Sequence, residues 1–187
     1  MKIQPTYYAS RLLVFLLLGV SILFAGEKQE LKWKTFDAGF AEAKKSNKKI
    51  MLDIYTDWCG WCKRLDKDTY GNEKVMDYLN SQYVVIKLNA ESATKLNFKD
   101  KEYSEAGMAQ ALGATGYPTI VFFDGKGEPI TSIPGYVDAE RFLPILTFIG
   151  DDSYKSMTWE EYTKKSSPDK KTADKKETNK KDPNKKD

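Results

Sequence analysis

The sequence predicts an α/β domain with a central mixed β-sheet flanked by helices, and three observations carry that expectation. Three short apolar, β-prone runs, Lys49–Tyr55, Tyr83–Leu88 and Thr119–Phe123, have the length and composition of buried strands. Segments made of helix formers separate them, several opened by a capping residue or closed by a glycine, an alternation that builds α/β layers. The two cysteines of the chain, Cys59 and Cys62, fall where the first of these strands ends and a helix begins.

Taken in order, the chain opens with Lys2 and Arg11 ahead of an apolar run, Leu12–Ala25. The run has the length of a signal-peptide core and is shorter than the ~20 residues of a spanning helix. Ala25 and Gly26 are small enough for cleavage, whereas Leu23 fits the small-x-small rule poorly, so residues 1–25 read as a signal peptide or an uncleaved N-terminal anchor. No cysteine follows the run, which argues against lipidation. Either way the remainder is expected to face an extracytoplasmic compartment, where disulfides persist.

The globular part is expected over residues 26–165. After the polar lead-in Glu27–Lys32, Trp33 and Phe36 precede a helix capped by Asp37 and running through Lys45, with Phe36, Phe40 and Ala43 on its apolar side. Ser46-Asn47-Lys48 turns into the central strand. Lys63–Thr69 is helix-forming, Tyr70-Gly71-Asn72 interrupts it, and Asn72 caps Glu73–Leu79, with Val75, Met76 and Leu79 facing inward. Asn89–Tyr103, polar and anchored only by Leu96 and Phe98, reads as a loop with some helix. Ser104 caps a short helix to Leu112, closed by Gly113. Asp124-Gly125-Lys126-Gly127 is a hairpin turn between Thr119–Phe123 and an edge strand, Pro129–Ile133. Asp138 caps Ala139–Ile149, whose Phe142, Leu143, Leu146 and Ile149 share a face and whose Pro144 is a candidate kink. Met157, Trp159 and Tyr162 suggest one more amphipathic segment. Residues 166–187, rich in lysine and without an apolar face, are expected to be a disordered, solvated tail.

The chemistry concentrates in Lys49–Arg64. A helix N-terminus presents unpaired N–H groups and the positive end of the macrodipole, which favour a thiolate over a thiol. One helical turn brings Cys62 within bonding reach of Cys59, so the pair reads as a redox dithiol. Two other readings stand beside it. Structural zinc needs four ligands, and the chain has no third cysteine and no histidine. A purely structural bridge over two residues removes little unfolded-chain entropy and is a poor staple. The absence of histidine also removes Cys–His, Ser–His and histidine–metal catalysis. The 187 residues carry a net charge of +3, with the basic excess largely in the C-terminal tail, which does not point to nucleic acid.

Trp58-Cys59-Gly60-Trp61-Cys62-Lys63, Asp53 six positions before Cys59, Lys87 within Val85-Ile86-Lys87-Leu88-Asn89, and Gly116-Tyr117-Pro118-Thr119 together resemble the thioredoxin superfamily. Leu52-Asp53-Ile54-Tyr55-Thr56-Asp57-Trp58-Cys59 is most similar to the periplasmic thioredoxin-like C-terminal domain of the transmembrane disulfide reductase DsbD and its stand-alone relatives. The resemblance covers about Trp33 to Ile149 and implies a thioredoxin-like fold. It implies Cys59 as the exposed nucleophile and Cys62 as the resolving thiol. It implies Asp53 beneath them as a proton acceptor whose pKa burial raises, with Lys87 pairing and tuning it. Trp58, Gly60 and Trp61 would border the substrate, and Gly116 would serve the turn. Pro118 would form a cis peptide against the dithiol, leaving the Tyr117 backbone to pair with an incoming peptide. The departure is Trp61, where thioredoxin has proline, which leaves the reduction potential and the direction of transfer open.

The implied function is an exported thiol–disulfide oxidoreductase, more a reductase than an oxidant. A membrane donor of the DsbD type would supply electrons, and exported proteins with disulfides, cytochrome c maturation factors among them, would receive them. No cofactor is called for beyond the Cys59–Cys62 redox pair, and no metal. The alternative is a non-catalytic copper-handling or protein-binding module on the same fold.

Overall fold

The computed structural model describes residues 30–166; the leader over residues 1–25, the 25/26 boundary and the tail beyond Ser166 lie outside the described residues. The elements follow as α1 (Phe36–Ser46), β1 (Lys49–Tyr55), α2 (Gly60–Arg64), a π-helical segment (Leu65–Tyr70), α3 (Glu73–Gln82), β2 (Tyr83–Asn89), β3 (Lys95–Phe98), β4 (Lys101–Ser104), α4 (Glu105–Ala111), β5 (Thr119–Phe123), β6 (Pro129–Pro134), α5 (Ala139–Gly150), a 3-10 turn (Ser153–Lys155) and α6 (Trp159–Ser166).

The main sheet has the order β2–β1–β5–β6, with β1 parallel to β2 and antiparallel to β5, and β6 antiparallel to β5 at the edge. Its central strands are apolar on both faces because helices cover both. Ile50, Leu52, Ile54, Val121 and Phe123 join one cluster with Phe36 and Ala43 of α1 and Met108 of α4. Met51, Ile120 and Phe122 join the other with Val75 and Leu79 of α3 and Phe142, Leu146 and Ile149 of α5. Side chains alternate along a strand, so Asp53 shares the Met51 face of β1 and is the one buried carboxylate among the described residues.

Three caps hold as the sequence implies: Asn72 accepts from the Lys74 and Val75 amides, Ser104 from Gly107, and Asp138 from Arg141. Asp37 does not cap. The N-cap of α1 is Thr35, and the Asp37 carboxylate in the first turn accepts instead from the Asn97 amide at 3.0 Å, tying α1 to β3. The stretch read as a loop with some helix is a hairpin, β3 against β4. Its two-residue turn, Lys99 and Asp100, has both φ angles positive, at 50° and 63°. Such turns are usually written with Asn or Gly, and a Lys-Asp pair carries no such signal. Alternation then places Leu96 in the core and Phe98 within 5.8 Å of Phe36 and 5.3 Å of Phe40. At the other end, Trp159 and Tyr162 of α6 close over Phe148, at 5.3 and 5.0 Å.

Gly39 is required by packing. A Cβ there would lie 2.4 Å from the Ile86 side chain, where α1 crosses β2. Gly39→Ala is expected to destabilise by about 1–3 kcal/mol through overpacking, read as a lowered midpoint in urea with an unchanged slope.

Candidate active site

Cys59 is the N-cap of α2. Its amide donates to the Thr56 carbonyl at 3.1 Å, and its Sγ accepts from the Cys62 amide at 3.0 Å. The two sulfurs are bonded to each other, with their Cα atoms 5.3 Å apart. An amide aimed at Cys59 Sγ at the start of a helix is the arrangement that holds negative charge on that sulfur once the pair is reduced.

The expectation of an exposed Cys59 requires correction. In the bonded pair Cys59 is 4% exposed and Cys62 2%, so both are covered. Cys59 Sγ is turned onto its own helical turn by the bond to Cys62 and the amide it accepts. The pair nevertheless sits directly under the surface. Trp58 and Trp61 beside it are 67% and 54% exposed, and the space beside the Gly60 Cα is open.

The six-residue π-helical segment continues α2 without a break and packs Leu65, Thr69 and Tyr70 into the core. Thr69 Oγ1 donates to the Val137 carbonyl at 2.7 Å and fastens it to the loop before α5. Widened turns of this kind recur at functional sites. Here the segment supplies two further groups, Asp66 and Tyr70.

Asp53 is fully buried, and its Oδ2 accepts from Lys87 Nζ at 2.7 Å. The same ammonium donates to Asp66 Oδ1 at 2.5 Å, so one cation is shared between two carboxylates. Its remaining directions are filled by rings, with Trp33, Tyr55 and Tyr70 centred 4.8, 5.0 and 5.6 Å away. An isolated bridge between Lys34 and Ile86 brings Trp33 over the site. Asp53 Oδ1 and Tyr70 Oη are buried without a hydrogen-bond partner among the described residues.

Burial pushes the Asp53 carboxyl up to about 6, against the attraction and hydrogen bond of Lys87, and the Asp66 charge pushes the same way as burial. Burial also works to lower Lys87, but the Asp53 charge and the bonds to Asp53 and Asp66 outweigh it and leave the ammonium raised. Tyr70 is raised well above its ordinary value by burial and then by the two nearby carboxylates. Removing the cation in Lys87→Met is therefore expected to drive the Asp53 titration further upward, observable as a shifted carboxyl carbon titration by NMR. An unmoved midpoint would mean that Lys87 does not tune Asp53.

The Tyr117–Pro118 peptide is cis. Pro118 immediately precedes β5, whose first residue, Thr119, lies opposite Ile54 near the end of β1 from which the cysteine loop leaves. The Pro118 carbonyl accepts from the Gly135 amide at 2.8 Å, whereas neither backbone group of Tyr117 has a backbone partner among the described residues. Trp58 stands edge-on to the Tyr117 ring at 6.2 Å, and its indole N–H donates to Glu91 at 2.8 Å. The structure thus brings Trp58, Tyr117 and Pro118 around the cysteine loop, and pairs Asp53 with Lys87. Gly116 has open space where a Cβ would stand and no left-handed backbone, so the turn does not demand glycine there. A signal for Asp66 was present in the chain: it lies four residues after Cys62, on the same face of a helix. Tyr70, Trp33 and Tyr55 had no comparable signal.

A family model described as a thioredoxin-like domain matches residues 36–150, well over half of the chain. The thiol:disulfide interchange protein DsbD of Yersinia pestis is 37% identical over 107 residues, covering 54% of this chain and 16% of that protein. DsbD of Vibrio cholerae is 36% identical over 112 residues, covering 59% and 17%. The chain thus corresponds to about a sixth of the length of these relatives. Among solved structures, a thioredoxin-fold protein from Helicobacter pylori superposes with a TM-score of 0.54 and 29% identity, covering 64% of this chain and 80% of that one. A Thermus thermophilus thioredoxin gives a TM-score of 0.53 at 19% identity, over 64% and 87%, a likeness of fold.

Proposed function

The chain belongs to the thioredoxin-like domain family, and from that premise we propose that it is a thiol–disulfide oxidoreductase acting as a reductase of exported proteins. The observation that carries the reading is the Cys59–Cys62 pair at a helix start, with the Cys62 amide on Cys59 Sγ. Relatives named for thiol:disulfide interchange support the chemistry.

In the reduced form, the Cys59 thiolate attacks one sulfur of a substrate cystine and displaces the other as a thiolate, which takes up a proton. The Cys62 thiol then gives its proton to the Asp53 carboxylate and attacks Cys59 Sγ in the mixed disulfide. The second substrate thiol leaves, two electrons have passed to the substrate, and the Cys59–Cys62 disulfide is restored. A donor dithiol must reduce it again, and a membrane partner of the DsbD type fits that role. The apolar leader Leu12–Ala25 supports an extracytoplasmic setting. No described helix is long and apolar enough to cross a membrane.

The test is catalysed reduction of insulin by the reduced full chain, together with the dithiol potential by equilibration with dithiothreitol. Turnover with a potential near about −270 mV agrees with a reductase, and one near about −120 mV reverses the direction. Tight stoichiometric Cu(I) binding with negligible exchange would favour a copper-handling module instead.

A further inference from the structure

We infer that Arg64, held against the rings of Trp61 and Tyr136 beside the dithiol, determines substrate preference by receiving an acidic side chain that flanks the cystine of a partner protein. The inference rests on the oxidoreductase reading above and adds to it the chemistry of the partner.

Arg64 closes α2, two residues beyond Cys62. Its guanidinium carbon lies 5.3 Å from the centre of the Trp61 ring and 5.4 Å from that of Tyr136, and the two rings are themselves 5.4 Å apart. Nε donates to Asp68 Oδ2 at 3.1 Å, and no acceptor among the described residues engages the terminal nitrogens. The side chain is 57% exposed. The result is a planar cation, oriented in advance by two rings and one carboxylate, with its outer fork open to solvent. Such a group suits bidentate capture of a carboxylate, and holding it in place beforehand lowers the ordering cost of binding.

The arm is joined to the rest of the site through the backbone. Gly135, at φ 81°, gives its amide to the Pro118 carbonyl, and this places Tyr136 next to the loop that borders the cysteines. Trp61 belongs to neither hydrophobic cluster, so core packing does not account for its exposed ring. Charge is distributed unequally across the dithiol. On the Trp58 side stand Glu91, bonded to the indole, and Asp57, which accepts from Asn89 at 3.3 Å. On the Trp61 side stands Arg64, whose Nε is held by Asp68 and whose terminal nitrogens engage no acceptor among the described residues. An acidic flank on the partner is repelled from the first side and drawn to the second, which selects among partners as well as attracting one.

The experiment uses the reduced full chain and disulfide-linked peptides that differ only in carrying Glu or Lys at the positions adjoining the cysteine. The wild type is expected to favour a Glu peptide by about tenfold in kcat/KM, chiefly through KM, with the preference shrinking in high salt. Arg64→Glu is expected to invert the preference, a result that misfolding cannot mimic. Arg64→Lys keeps its sign at reduced size, because lysine retains the charge without the fork. Equal kcat/KM for the Glu and Lys peptides, or a preference that survives Arg64→Glu, overturns the inference while leaving the oxidoreductase reading intact. Failure of the wild type to reduce any peptide or the neutral disulfide dithiodipyridine sinks the oxidoreductase reading and the subsite with it.

Discussion

Cys59→Ser is expected to lower insulin reduction by at least about a thousandfold, to the uncatalysed rate, which corresponds to roughly 4 kcal/mol of lost barrier reduction. Serine in place of Cys59 removes the attacking thiolate, and Cys62 does not substitute because the helix-start position and the amide aimed at sulfur belong to Cys59. Cys62→Ser should behave differently. Cys59 still attacks, nothing releases the product, and a stable mixed disulfide accumulates, detectable as a mass increase that dithiothreitol reverses. Equal behaviour of the two variants would contradict the assignment of attacker and resolver.

Asp53→Asn is expected to slow the resolving step by about a hundredfold, the scale of a lost general base, and to remove its pH dependence. Burial raises the Asp53 carboxyl to about 6. Below that pH it is protonated and cannot take the Cys62 proton; above it the carboxylate can. The wild-type resolving rate therefore rises through about pH 6 and levels off, whereas the asparagine variant shows no inflection there. Stability has the opposite sign. A carboxyl raised from 3.8 to about 6 in the folded protein contributes stability that is full below the lower value and is lost as pH rises through the upper one. Asp53→Asn should thus match the wild type below about pH 4 and exceed it at neutral pH, by up to about 3 kcal/mol. Lys87 still has Asp66 as a partner in that variant. A neutral-pH loss of stability in Asp53→Asn, measured by urea unfolding, would show that the attraction between Asp53 and Lys87 outweighs the cost of burying the carboxylate.

These two variants probe groups that the chain announces to different degrees. The cysteines are legible because their placement depends on neighbours: the apolar run of β1 before them and the helix formers after them. Asp53 and Lys87 are nameable only through a family resemblance, since a lone carboxylate on a strand is equally consistent with a solvated edge. Their pairing arises from the parallel register that sets Asp53 opposite Lys87. Asp66 joins them because the helix after Cys62 runs on as a π-helical segment, a local geometry that helix propensity does not distinguish from an α-turn. The hairpin of β3 and β4 is hidden for a comparable reason: its turn residues lack the Asn or Gly that usually marks two left-handed positions.

By itself the sequence determined what acts over a few residues. It specified the strands Lys49–Tyr55 and Thr119–Phe123, the caps at Asn72, Ser104 and Asp138, and the dithiol at a strand-to-helix junction. Only the tertiary structure decided that one ammonium would serve two carboxylates inside a ring of Trp33, Tyr55 and Tyr70, and that Arg64 would lie against both Trp61 and Tyr136. Periodicity and capping are set by backbone geometry within one or two turns. Charge sharing and ring contacts join residues far apart in the chain, and sheet register and helix packing alone bring those together.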